Sequence, residues 1–262
     1  MTELMAVIRR ESDRFAQVIS EAPSGARVPT CPDWDADDLL WHLTEVHSFW
    51  ARILRTGVQS DEDAEAVEAD KPERPADRAS TLKLFAAETD ALLEEMDGRD
   101  DDEPAYFWLE TARTVGSTRR MQAHEATMHR IDAETAAGLE SAPIDPSFAL
   151  DGVRHGVGVM WAWWGTLDGF RFEPAGVVEL RAPEADVGIF VEVGRWQGVG
   201  QSGKSYDVPS ARLIEPASAA ASLTGSAEEL YRWLWGRGQE PTASGDASVL
   251  NALREARDQG MQ

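Results

Sequence analysis

The stretch "QAHEATMHRID" (residues 122–132) holds two of the chain's five histidines, a glutamate between them and an aspartate just beyond. It is one residue longer than the H-E-x-x-H of zinc proteases. A helix turns by about 100° per residue, so residues four apart share a face and residues five apart do not. His124 and His129 therefore cannot both ligate one ion from a straight helix. Glu125 and His129 can, and they share a stripe with Met121, Met128, Asp132 and Ala136. Two methionines and an alanine mark that stripe as inward-facing. A carboxylate there needs a partner, because burying it alone costs several kcal/mol.

A comparable oddity lies in "DDLLWHLTEVHSFWARIL" (37–54). Leu39, His42, Val46, Phe49 and Ile53 follow the helical repeat. This spacing predicts His42 in the middle of an apolar stripe and His47 pointing elsewhere. Two core-facing stripes of one bundle meet in its interior, which would bring His42 to Glu125 and His129. Two imidazoles and one carboxylate with an open fourth position are the arrangement of catalytic zinc, and other divalent metals accept the same donors. Spacing leaves plainer readings open. His42 could be a hydrogen-bonded core residue, and Glu125 could pair with Arg119, Arg120 or Arg130. Asp132 reads as an acceptor for His129 or a partner of an arginine. His47, His124 and His155 read as ordinary polar or packing residues, the single Cys31 as a small buried thiol, and the tryptophans as core.

The elements that must position these residues are legible in outline. Helices are predicted over 3–20, from Asp35 as cap to about Arg55 with Gly57 as stop, over 79–96, and over 110–137 with Gly138 as stop. "VPTCPDW" (28–34) reads as a loop, and the acidic, proline-punctuated 59–78 as an exposed connector. Four long helices make a bundle the simplest way to bury their stripes. A fifth helix is predicted over 147–167, carrying Trp161, Trp163 and Trp164. Short β-like runs follow at 176–182, 187–194 and 210–216, as expected of antiparallel strands. Helices at 226–238, with Ser226 and Glu229 as a capping box, and at 246–259 complete the chain. The fold class is α+β, with a helical domain over 1–145 and a smaller α+β domain over 146–262.

Composition bounds the partners. At 262 residues and 42% hydrophobic the chain can bury a core, and its net charge of −22 argues against nucleic acid and anionic lipid. One cysteine allows no internal disulfide and no cysteine-based zinc cluster. No signal peptide or apolar run of spanning length is evident. The chain reads as a soluble cytoplasmic protein, monomer or homodimer.

"VPTCPDWDADDLLWHLTEVHSFW" followed by "RRMQAHEATMHRIDAETAAG" resembles the mycothiol-dependent maleylpyruvate isomerase family, related to DinB-like metalloenzymes. "ASLTGSAEELYRWLWGR" is similar to that family's C-terminal, sterol-carrier-like domain. The resemblance covers nearly the whole chain. It implies a DinB-like four-helix bundle holding a divalent metal, usually zinc, through His42, Glu125 and His129. It also implies mycothiol as cofactor, its thiolate held on the metal as the nucleophile toward a small electrophile. Addition to a conjugated double bond would give isomerisation, and displacement of a leaving group would give S-transfer. Arg237, in the turn "WGRGQ", is the candidate catalytic residue for holding a substrate carboxylate. Trp34 and Trp161 are candidates to line the cofactor cleft. A metal-dependent hydrolase acting through water and a non-enzymatic carrier of apolar ligands are the readings these would have to displace.

Overall fold

The structure, a computed structural model, describes residues 3–23, 25–200 and 202–260. The chain divides into two compact units, residues 1–142 and 143–262.

The first unit is helical. Its elements are α1 (Glu3–Glu21), a small hairpin of β1 (Arg27–Val28) and β2 (Cys31–Asp35), α2 (Ala36–Thr56), α3 (Asp61–Ala69), α4 (Arg78–Met96) and α5 (Val115–Ala136). Of the four long helices, α1 packs on α5 and α4, and α2 on α4 and α5. Phe15, Ile19, Leu39, Leu40, Leu43 and Phe85 form one buried cluster between them. The start of α2 is fixed by a reciprocal cap. Asp35 Oδ1 accepts from the N–H groups of Asp37 and Asp38, and Asp38 Oδ2 accepts from the N–H of Asp35. A cap of this kind is worth about 1 kcal/mol. Gly57 ends the helix at φ 67°, a left-handed conformation that glycine adopts without strain.

Three expectations change here. The stretch 28–34 is a hairpin rather than a loop, because Val28 pairs with Cys31 across the tight Pro29–Thr30 turn. The acidic connector contains α3. Ser60 caps it, and Asp61, Glu62 and Asp63 sit in its first turn, where the helix dipole favours negative charge. Helix α5 starts at Val115, where Thr114 caps it, and residues 110–112 form only a 3₁₀ turn.

The second unit holds α6 (Pro146–His155), β3 (Arg171–Ala182), β4 (Val187–Val199), β5 (Ser205–Ile214), β6 (Ala221–Thr224), α7 (Ala227–Leu234), β7 (Thr242–Gly245) and α8 (Ala247–Arg257). The sheet order is β5-β4-β3-β6-β7. Its pairs are antiparallel except β3 with β6, which run parallel with Val178 opposite Ala221. The three expected strands, β3, β4 and β5, are antiparallel neighbours as predicted, and the unforeseen β6 adds the one parallel pair. Helix α8 covers the sheet, placing Leu253 over an interior that includes Val178, Leu180, Val191 and Leu223. The predicted helix over 147–167 stops at His155. A π turn follows at Gly156–Met160, then a 3₁₀ turn at Trp163–Thr166. Gly156 and Gly158 weaken the helix there. Gly165 brings the backbone against the Trp196 ring, 2.9 Å from where a Cβ would sit. The Ser226–Glu229 capping box on α7 is present. No helix among the described residues is long and apolar enough to cross a membrane.

Candidate metal centre

Helix α5 is buried along nearly its whole length, from Thr118 to Glu134 save Arg120. Every charged group on it therefore requires a partner. The arginines find theirs away from Glu125. Arg119 pairs with Asp101 and donates to the carbonyls of Met96 and Arg99. Arg130 donates to Glu11 (2.7 Å), Glu134 (2.8 Å) and the Ala142 carbonyl (2.9 Å).

Glu125 is left to two histidines. His129, one turn along the same helix, places Nε2 3.1 Å from Glu125 Oε1. His42, from α2, places Nε2 3.4 Å from the same oxygen. The two imidazole rings meet edge to face, 4.9 Å between centroids. One donor atom from each of His42, Glu125 and His129 lies within 4.8 Å of the others. Behind His129, Nδ1 is 2.9 Å from Asp132 Oδ2, and Thr30 Oγ1 donates to Asp132 Oδ1 at 2.7 Å. The β1–β2 turn thus holds the carboxylate that orients the histidine. Trp34, on β2, packs its ring on His42 at 4.7 Å.

Electrostatics follow from this crowding. Burial alone would raise the pKa of Glu125. The charge of His129 and hydrogen bonds from both histidines outweigh it and hold the carboxyl well below its usual range. Burial would depress His129, but Glu125 and Asp132 raise it to about 9. The pair is a buried anion balanced by a proton, and a divalent cation could take that proton's place at Nε2. Two nitrogens and one oxygen, with the far imidazole nitrogen of His129 tied to a carboxylate, match a three-ligand metal site and its outer support.

His42 does not occupy the centre of the buried stripe as its spacing predicts. Its side chain is 26% exposed, and it opens onto a cavity of about 420 Å³ shared with Trp34 and Trp41. The core position on α2 belongs instead to His47, which is fully buried, stacks on Phe85 at 5.2 Å and meets Thr89 Oγ1 at 2.9 Å. Helix α2 packs chiefly on α4, and that turns the Leu40–Leu43–His47 side inward. Cys31 is buried, and His124 is buried outside the cluster.

Trp161 and Arg237 belong to the second unit. Trp161 is buried after the π turn, and its carbonyl accepts from Ser210. Arg237 is buried just beyond α7, and its Nη1 donates to the Trp235 carbonyl at 2.7 Å. A ligand-binding role for either rests on the family resemblance. Thr30 carried no helical periodicity by which a sequence could mark it. Its only signal was its place in "VPTCPDW", ahead of the helix bearing His42.

Residues 5–134 match the family model described as the mycothiol maleylpyruvate isomerase N-terminal domain, and residues 147–252 match the model of the C-terminal domain of the same proteins. No curated protein matches the chain. Among solved structures, the fold is similar to a crystal structure of the mycothiol-dependent maleylpyruvate isomerase (TM-score 0.62, 13% identity, 94% of each chain covered). It is similar as well to a histidine-to-alanine mutant of that enzyme (TM-score 0.61, 11% identity, 94% of each chain covered).

Proposed function

Because the chain belongs to the mycothiol maleylpyruvate isomerase family, with both of its domains in order, we propose that it is a metal- and mycothiol-dependent enzyme. Its substrate is a small electrophile, which it isomerises or transfers to sulfur. The observation that carries this reading is the convergence of His42 and His129 on one oxygen of a buried Glu125. A carrier scaffold has no use for an anion placed between two imidazoles in its interior.

The residues present fit a divalent cation: two imidazoles and a carboxylate are a donor set that catalytic zinc uses and that other divalent metals accept, and zinc is the ion the family resemblance implies. Bound there, the ion would supply the Lewis acidity that lowers the pKa of a thiol. The rest falls to the chain itself. Asp132, steadied by Thr30, fixes which nitrogen of His129 faces the site. Glu125 supplies the negative charge. Trp34 limits the rotation of His42 by lying against its ring. The side of His42 left open to the cavity gives a ligand its approach.

Elemental analysis of the purified protein followed by titration with mycothiol tests the reading. The expected result is one divalent ion per chain and tight thiol binding that chelation abolishes. A protein that takes up no ion from a metal-supplemented buffer would overturn it.

A further inference from the structure

We propose that the second unit carries a binding site for a small organic monocarboxylate with an apolar body, its carboxylate held by Arg154 and its body laid against Phe190, Leu213 and Ile214. The site lies wholly within residues 143–262. It stands apart from the metal centre of the helical unit and does not rest on the function proposed above.

The site arises where two strands part. Pairing between β4 and β5 ends at Phe190 opposite Ile214, whereas Gly188 and Ile189 go on pairing with β3 alone. Pro216 has no N–H with which to extend the ladder. A cavity of about 510 Å³ opens there, walled by these strand ends and by Arg154 from the last turn of α6. Its size suits a small ligand. Phe190, Leu213, Ile214 and Pro216 make much of the lining apolar. Leu213 shares a row of the sheet with Val191 and Val178, which are fully buried, yet it is itself 38% exposed. The π turn after α6 closes on it. A Cβ at Gly158 would lie 3.0 Å from Leu213 Cδ1, so glycine leaves that side chain its place in the wall.

Arg154 supplies the charge. Among the described residues its side chain meets only the Leu150 carbonyl, at 3.5 Å, and no carboxylate. A cation in the last turn of a helix answers the dipole, which accounts for its charge and leaves most of its five N–H donors unspent. In the same unit Arg181, Arg195, Arg212, Arg232 and Arg254 each pair with a carboxylate. In a chain of net charge −22, an unpaired guanidinium on a cavity wall is the exception, and its planar fork matches a carboxylate. The surroundings narrow the ligand further. An inorganic anion would gain nothing from the apolar walls to offset repulsion by the acidic chain. An alcohol would leave the guanidinium's charge unanswered. A dianion would bring its second charge toward Glu215, the acidic member of the lining. One carboxylate on a hydrocarbon body uses both features.

Calorimetric titration of the full chain with octanoate tests the site. Chelator is present throughout, so that no carboxylate binds through a metal. One octanoate per chain should bind, and hexanoate should bind about tenfold more weakly for its two missing methylenes. Octan-1-ol, which keeps the body and loses the charge, should bind about tenfold more weakly than octanoate, and Arg154→Met should cost octanoate about the same factor. Glu215→Gln removes a neighbouring negative charge and should bind octanoate at least as tightly as the parent. No binding at millimolar octanoate, equal binding of octanoate and octan-1-ol, or equal binding by Arg154→Met overturns the assignment. The comparison of acid with alcohol needs no variant and decides the matter even if Arg154→Met does not fold. Binding that appears only when metal replaces chelator would place the carboxylate at the metal centre and overturn it as well.

Discussion

Asp132 stands 2.9 Å behind His129, on the nitrogen that faces away from Glu125, and is itself held at 2.7 Å by Thr30 from 102 residues earlier in the chain. The hydrogen-bonded line therefore runs from the β1–β2 turn through α5 to the candidate metal centre. It fixes the ring orientation of one ligand before any ion arrives, and keeps the remaining proton on Nδ1 once an ion displaces the one on Nε2.

Breaking that line should weaken the metal without removing a ligand. Asp132→Asn is expected to lower divalent-metal affinity about 10- to 100-fold, the usual effect of losing such outer support. Thr30→Val should act in the same direction and by less, since Asp132 would keep its bond to His129. Competition against a chromophoric chelator measures both. Equal affinity in all three proteins would show that Asp132 serves folding alone.

Glu125→Gln should abolish stoichiometric metal while the helical content persists. The substitution keeps the shape and removes the charge on which both imidazoles converge. Far-ultraviolet circular dichroism alongside elemental analysis separates the two effects. A folded variant that still holds one ion per chain would remove Glu125 from the ligand set.

How far the sequence could lead depended on what each residue's neighbours are. Glu125 and His129 were legible because a four-residue spacing places both on one helical face whatever surrounds the helix. The orientation of α2 was not, because several faces of "LLWHLTEVHSFW" carry apolar residues and the choice between His42 and His47 is made by packing on α4. The caps at Asp35 and Ser226 were readable because capping is local. Strands β6 and β7 lack that advantage. "ASLT" and "TASG" offer little hydrophobic alternation, and pairing with β3 is what makes β6 a strand. Helix α3 hid among acidic residues that suit its first turn. The cavity beside His42 drew on Arg74 and Trp41 from separate elements, a meeting no spacing rule foresees.

The buried ion cluster on α5 should matter to folding more than to chemistry. Arg130 joins Glu11 of α1 to Glu134 and to the Ala142 carbonyl. Arg130→Met would take one partner from each of two buried carboxylates, although Arg14 still holds Glu134 at 2.8 Å and Arg10 still donates to Glu11 at 3.0 Å. Breaking one side of such a buried pair costs about 3–5 kcal/mol, and the two remaining arginines place the expected loss near the lower end. Urea denaturation followed by helix signal reads it. A loss below about 1 kcal/mol, the scale of an exposed pair, would show that the cluster is solvated in solution.

His47 should make the protein sensitive to acid. Burial among Phe85 and the α2–α4 packing drives its pKa down to about 3. The nearby charge of Glu125 opposes this, and those of His129, Arg9 and His42 add to it. The folded state thus keeps His47 neutral, whereas the unfolded chain protonates it near the ordinary value of about 6.5. Above that pH the residue adds no dependence. As pH falls from about 6.5 toward 3 the unfolded state binds the extra proton, and stability drops by up to about 1.4 kcal/mol per pH unit from this group. Below about 3 the loss levels off. His47→Leu removes the group and leaves Thr89 still donating to the Phe85 carbonyl at 2.8 Å, so the variant should lose stability less steeply across that window. Denaturation midpoints of both metal-free proteins between pH 4 and 7 check this, since every other titratable group is common to the two. Parallel slopes would mean that His47 exchanges protons freely and is not sealed in the core.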